Sequence, residues 1–233
     1  MDNLQGKIVA VTGAFGALGF VTAQVLAQRG AQVALIGRGA APATLPLELA
    51  QACVVEHVDL TDPQAAQHAI ATIAARFGGL DALVNIAGGF RWETIADGSA
   101  DSWERMFDVN VKTALNASKA ALAQLAARAG GRIVNLGAMA ALKAGTGMGA
   151  YAASKSAVMR LTETLAEELK DKGVTVNAIL PSIIDTHQNR ADMPDADFSR
   201  WVTPEQIAAV IAFLLSQDAQ CITGALIPVT GRV

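Results

Sequence analysis

The chain is short of the residues that mark several kinds of protein. Of its 233 residues only 5% are aromatic and 17% charged, and the formal net charge is −3. So small a charge gives no electrostatic footing for nucleic acid or an anionic membrane. A single tyrosine, three tryptophans and seven phenylalanines leave little surface for stacking unpaired bases. The two cysteines, Cys53 and Cys221, stand far apart, and with His57, His68 and His187 they form no metal-ligand spacing. No apolar run of about 18 residues occurs, and no basic segment backed by an apolar stretch opens the chain. The expectation is a cytoplasmic protein without metal, membrane or nucleic-acid partner, acting on a small molecule.

What is abundant is apolar. A hydrophobic fraction of 52% excludes a disordered chain. A chain this long buries roughly 70–75% of its unfolded surface, so it needs no disulfide or metal to hold a core.

Strand and helix patterns alternate from end to end. Residues 7–12 are apolar and β-branched, and glycines follow at once, as after a buried strand. Residues 17–28 place Leu18, Val21, Val25 and Leu26 at helical spacing, and Gly30 is a helix-ending glycine. Strands are predicted at 32–36, 53–58, 81–86, 131–136, 174–180 and 225–229. Thr61, Asp62 and Pro63 open a helix that runs to about 77 and stops at Gly78-Gly79. Long helices are predicted at about 102–127 and 151–170, the second with Val158, Leu161, Leu165 and Leu169 on one face. Thr203-Pro-Glu-Gln206 is a capping box opening the last helix. Near-continuous apolar strands separated by helices predict one α/β domain spanning 1–233: a doubly wound parallel sheet of about seven strands with helices on both faces. Two stretches break the regularity. Residues 37–49 are rich in alanine and proline, and residues 182–203 are long and polar, as expected of a substrate loop or lid.

Thr12-Gly13-Ala-Phe15-Gly16-Ala-Leu18-Gly19 lies between the first strand and the first helix. Glycines there let the backbone turn sharply and approach a pyrophosphate, whose charge meets the helix N-terminus. After the second strand an acid would hold the ribose 2′-hydroxyl of NAD, and an arginine would accept the 2′-phosphate of NADP. This chain has Gly37-Arg38 and no acid, which favours NADP(H) over NAD(H). Asp59 follows the third strand and Asn85-Ile-Ala-Gly88-Gly89 the fourth, both at carboxyl ends where ligands bind in such sheets.

Tyr151-Ala-Ala-Ser-Lys155 stands at a helix start after the fifth strand. Residues four apart share a helix face, about 6 Å apart along the axis. An ammonium beside a phenol favours phenolate, so the lysine is expected to lower the tyrosine pKa from about 10. That would fit the tyrosine for acid–base work near neutral pH.

Taken in order, the glycine loop, Asn85-x-Ala-Gly, Asn110, Tyr151-x-x-x-Lys155 and Pro181…Thr186 resemble the short-chain dehydrogenase/reductase family over essentially the whole chain. The resemblance implies a Rossmann-type domain that binds NAD(H) or NADP(H). It implies Tyr151 as proton donor or acceptor, Lys155 on the nicotinamide ribose, Asn110 in a proton relay and Thr186 at the carboxamide. The implied nucleotide site comprises Gly13, Phe15, Gly16, Leu18, Gly19, Arg38, Asp59, Leu60, Asn85, Ala87, Gly88, Tyr151, Lys155, Pro181, Ile184 and Thr186. It further implies a homo-oligomer, dimer or tetramer, through the helices at about 102–127 and 151–170.

Three positions depart from that pattern. Ala17 stands where the middle glycine is usual, with Gly16 beside it, and Ser182 follows Pro181 in place of glycine. The family's catalytic serine lies thirteen residues before the tyrosine, where this chain has Ala138. A methyl cannot donate to a substrate carbonyl, and losing one such donor costs about 10²–10³ in rate. Thr146 could supply the hydroxyl, the substrate could be other than a simple ketone, or the chain could be a nucleotide-binding sensor or scaffold with little turnover. Residues 133–201 are similar to the dihydropteridine reductases, a branch that lacks the serine and reduces a quinonoid pterin. That branch carries an acid after strand two and prefers NADH, so Arg38 departs from it. Phe90 and Trp92 are candidates to stack on a flat substrate. Trp103, beside Met106 and Phe107, reads as core, and Trp201 as a lid residue or a loop anchor.

Overall fold

The computed structural model describes residues 4–128 and 130–233. Seven strands form one parallel sheet: β1 (Ile8–Thr12), β2 (Gln32–Ile36), β3 (Cys53–Val55), β4 (Ala82–Asn85), β5 (Arg132–Leu136), β6 (Thr175–Pro181) and β7 (Leu226–Val229). Their spatial order is β3-β2-β1-β4-β5-β6-β7, and every neighbouring pair is parallel. The order reverses between β1 and β4, which opens a crevice at their carboxyl ends.

Among the described residues seven α-helices connect the strands: α1 (Ala17–Gln28), α2 (Pro63–Phe77), α3 (Ala100–Phe107), α4 (Thr113–Ala126), α5 (Gly149–Leu169), α6 (His187–Asp192) and α7 (Pro204–Leu215). Alternation along β1 divides the core in two. Val9 and Val11 face α1 and α7, packing with Leu26, Ile207 and Ile211. Ile8 and Ala10 face the other layer, packing with Ile73, Leu125 and Leu165. A fully buried leucine such as Leu83 contributes about 2–3 kcal/mol of apolar burial.

Local chemistry sets the helix ends. Asp62 caps α2 by accepting from Gln64 N, Pro63 takes the first helical position, and Gly78 closes the helix at φ 82°. Thr203 and Gln206 form the reciprocal capping box on α7.

The structure departs from the sequence pattern in four places. The helix expected at about 102–127 is α3 and α4 joined by a π-helical turn, Asp108–Lys112, which contains Asn110. Apolar periodicity does not register a one-residue insertion of this kind. The third strand ends at Val55, because His57 adopts φ 57° and turns the chain. The 182–203 stretch is ordered by short elements: α6, a 3₁₀ turn Phe198–Arg200, and an Ile184–Val202 bridge. Trp103 is 43% exposed, so its edge is surface; Met106 alone of that trio is buried. Among the described residues no helix is long and apolar enough to cross a membrane.

Candidate functional site

Thr12, at the end of β1, ties the crevice together. Its hydroxyl oxygen accepts from Ile86 N at 3.0 Å and Ala87 N at 3.1 Å, joining the exits of β1 and β4. Gly13 follows at φ 65°, and a Cβ there would lie 2.8 Å from Ala87 N. A Cβ on Gly19 would lie 2.2 Å from Gly13 O, so α1 presses directly on the loop. The N-terminus of α1 has no side-chain cap and no acid in its first turn. Its leading amides therefore remain available for an anion.

A cleft of about 630 Å³ opens over this loop. Of the predicted nucleotide residues, Gly13, Phe15, Gly16, Leu18, Gly19, Arg38, Asp59, Leu60, Ala87 and Gly88 line it. Its far end is walled by Gly89, Phe90, Arg91, Arg105, Met106, Val109 and Thr113. Asp59 is fixed by the backbone N–H and hydroxyl of Thr61, at 2.9 and 2.7 Å, and these bonds hold its carboxyl below the usual range. Asn116, near the start of α4, donates to the carbonyls of Leu60 and Thr61 and pins that turn to the helix. The sequence pattern does not reveal this clamp, since Asn116 is one of several polar residues in α4.

Asn85 is placed differently from the expectation. It does not line the cleft. Its side chain is buried, donating to Ser118 Oγ at 3.0 Å and to Asn135 Oδ1 at 2.9 Å, while Asn135 donates to Thr162 at 2.9 Å. The pleat explains this: Asn85 is the last residue of β4, and its side chain enters the α4–α5 layer.

Tyr151 and Lys155 lie in the first two turns of α5. Lys155 is buried and donates from Nζ to Leu136 O at 2.8 Å. Burial pushes its pKa down from 10.5 to about 8. Its Nζ is 6.0 Å from the centre of the Tyr151 ring. The phenol is not acidified as the pairing predicts. Burial pushes it up from 10.0 to about 12, and desolvation overrides the distant ammonium. Phe90 meets the Tyr151 ring edge-on, with centroids 5.0 Å apart and planes at 87°.

Asn110 is brought to the same place by the π-helical turn. It accepts from Gly89 N, and its amide donates to Gly89 O and Ser154 Oγ, all at 3.0 Å. A Cβ on Gly88 would lie 2.5 Å from Asn110 Oδ1 and 3.5 Å from Lys155 Nζ, so glycine is required for this approach. Ala138 is buried in extended backbone just beyond β5. Thr146 is exposed on the following loop. Pro181 ends β6, Ile184 pairs with Val202, and Thr186 caps α6 through Asn189 N at 3.2 Å. Ser182 donates to Thr230 O at 2.7 Å, tying the segment's start to the C-terminal end. Trp201 is buried against Phe198 and anchors the far end. None of Pro181, Ile184 and Thr186 lines the cleft over the glycine loop; they stand beyond its described wall.

A seven-stranded parallel sheet, a glycine loop at the switch point and a tyrosine–lysine pair on the α5 face define a nucleotide-binding oxidoreductase of the doubly wound class. Residues 7–197 match the short chain dehydrogenase family, and the chain belongs to it. The chain is 32% identical to a 3-oxoacyl-[acyl-carrier-protein] reductase of Vibrio cholerae over 238 residues, 98% of each. It is 31% identical to a D-beta-hydroxybutyrate dehydrogenase of Rhizobium meliloti over 251 residues, 97% of each. A short chain dehydrogenase from Burkholderia cenocepacia, solved with NADP, superposes with a TM-score of 0.86 at 34% identity, covering 99% of this chain and 98% of that one. An NAD⁺-bound xylitol dehydrogenase superposes at 0.90 with 29% identity, covering 98% and 99%. The protein is an NAD(P)-dependent oxidoreductase of this family.

Proposed function

We propose that the chain transfers hydride from NADPH to a small flat substrate bearing a quinonoid or carbonyl group, with Tyr151 delivering the proton. The observation that carries this reading is the placement of Tyr151: it packs edge-on against Phe90, a wall residue of the glycine-lined cleft, one helical turn from the buried Lys155, with its phenol pushed up to about 12 by desolvation. A neutral phenol in the neutral range is a proton donor, which suits reduction.

The residues fit the nucleotide. Uncapped α1 amides lie over Gly13 and Gly16, and Arg38 supplies a cation at the adenosine end. Lys155 uses one of its three N–H groups on Leu136 O, leaving donors for a ribose diol. When bound, the dinucleotide supplies two electrons as hydride. The chain's own residues do the rest. Tyr151 Oη gives its proton to the substrate oxygen or nitrogen, and solvent restores it. Asn110 holds the Gly89 backbone and Ser154, fixing the turn of α5 that carries Tyr151, and it takes the relay position. Pro181, Ile184 and Thr186 stand outside the cleft over the glycine loop, at and just beyond the carboxyl end of β6, and residues 182–203 are the candidate cover for the substrate.

Two features favour a flat quinonoid ring, as in the dihydropteridine reductases, over a simple ketone. Ala138 offers no hydroxyl to a substrate oxygen. Phe90 and Trp92 are both 58% exposed, Phe90 against Tyr151, and both offer aromatic surface. Trp92 lies over Gly147, where a Cβ would fall 2.2 Å from its ring. Against these, the relatives named above are reductases and dehydrogenases of acyl, hydroxyacid and alcohol substrates. Exposed Phe107 and Leu115 on α3 and α4 support assembly of copies through these helices.

A panel holding ketones, 3-oxoacyl thioesters and quinonoid dihydropterins, run with NADPH and NADH, tests the reading. Turnover of the quinonoid ring with NADPH is expected. Binding of nucleotide without turnover of any member would support a sensor or scaffold instead.

A further inference from the structure

We infer that Arg200 and Arg232 are positioning residues: with Ser182 and Thr230 they fasten both feet of the 182–203 segment to the stretch after β7, and so fix where that segment stands for the substrate. This rests on the reading of 182–203 as the substrate's cover.

The segment is one loop closed at its base. Ile184 and Val202 pair in parallel, with Val202 N donating to Ile183 O at 3.2 Å and Asp185 N to Val202 O at 2.8 Å. Above the base the segment is bound to itself. Asn189 Nδ2 donates to Ile184 O at 2.8 Å, Arg190 pairs with Asp185, and the Arg190 guanidinium lies 4.8 Å from the centre of the Phe198 ring. Phe198 in turn rests on Trp201, with centroids 4.8 Å apart. A loop whose ends meet and whose side chains pack on one another moves as a unit about its feet.

The feet are tied to one short stretch. At the first, Ser182 Oγ donates to Thr230 O at 2.7 Å. At the second, two arginines interlock. Arg232 N donates to Arg200 O at 2.9 Å, while Arg200 Nε and Nη2 donate to Arg232 O at 3.1 and 2.7 Å. Arg232 Nη2 reaches one residue further, to Ser199 O at 2.8 Å. Gly231 lies between the two ties at φ 62°, which lets the stretch turn from one foot to the other. Outside strand pairing, and among the described residues, the hydrogen bonds that join 182–202 to the rest of the molecule all end on Thr230 or Arg232.

Trp201 and Val202 are buried, but apolar burial is non-directional, so the orientation of the loop is left to these bonds. Both arginines are exposed, so water competes for each bond and little global stability rests on them. Their effect is local. With the footing intact the segment is held in place before substrate arrives. Without it, binding must also order the segment, and that cost appears as weaker binding.

The test compares the wild type with Arg200→Ala, Arg232→Ala, the double and Arg200→Lys. It reads amide exchange without substrate, thermal melting, and NADPH-dependent reduction of the panel member that the wild type reduces best. In the double, exchange over 183–198 should quicken about tenfold, with melting and exchange elsewhere unchanged. KM for the substrate should rise about tenfold while kcat stays within about twofold. Arg200→Lys, which can still donate to the Arg232 carbonyl, should recover most of the loss. The proposal is overturned if exchange over 183–198 stays at the wild-type rate, if the whole chain loosens with it, or if KM does not move. A wild type that reduces no panel member removes the proposed function instead, and the exchange arm alone then decides the footing.

Discussion

Lys155 Nζ lies 6.0 Å from the centre of the Tyr151 ring and spends its one described hydrogen bond on the Leu136 carbonyl, 2.8 Å away. Lys155 is buried and Tyr151 half-buried, and no hydrogen bond joins them among the described residues. Desolvation pushes them in opposite directions, the phenol to about 12 and the ammonium to about 8.

That buried ammonium costs stability in a definite window. With a folded pKa of about 8 against 10.5, the unfolded chain binds more protons between those values, so this group's penalty is full below about 8 and gone above 10.5. Lys155→Met should therefore stabilise the nucleotide-free protein by up to about 3 kcal/mol at pH 7, with the gain vanishing near pH 10.5. Urea unfolding across pH checks the sign. A variant less stable at pH 7 would contradict it.

The same titration bears on rate. Tyr151 keeps its proton throughout the neutral range, so loss of reductase activity on raising pH should follow Lys155, with a midpoint near 8. A profile flat to pH 10 would show that the charge on Lys155 is immaterial.

Ala138→Ser adds a hydroxyl at the position where the resemblance read from the sequence implies a serine. Ketone reduction should rise by about 10² if that donor is limiting, while turnover of a quinonoid ring should change little. Equal gains on both substrates would remove the argument for a substrate without a simple carbonyl.

Asn85→Ala separates two roles for one residue. Its side chain ties Ser118 and Asn135 inside the sheet, so the substitution should cost about 1–3 kcal/mol of stability. NADPH affinity should stay within about threefold of the wild type. A large loss of affinity with unchanged melting would return Asn85 to the nucleotide.

Much of this architecture was legible in the sequence, because apolar strands and capped helices carry their own periodicity. The bounds of β2 and α1 agree to the residue with the pattern. The glycine loop was legible because only glycine meets its close approaches at positions 13 and 19. What stayed hidden depends on long-range packing. The π-helical turn that delivers Asn110 shifts the register without changing the composition. The direction of the Asn85 side chain follows from where β4 ends. The Tyr151 pKa is set by burial, which a motif does not contain.

The central claim is that Tyr151 gives the proton while the nucleotide gives the hydride. Its most direct test is single-turnover oxidation of NADPH by a quinonoid dihydropterin, which takes the hydride and the proton, in wild type and Tyr151→Phe, with NADPH affinity measured in parallel. The account predicts a rate loss of at least about 10² with affinity within about threefold of the wild type. A Tyr151→Phe protein that oxidises NADPH at the wild-type rate would contradict it.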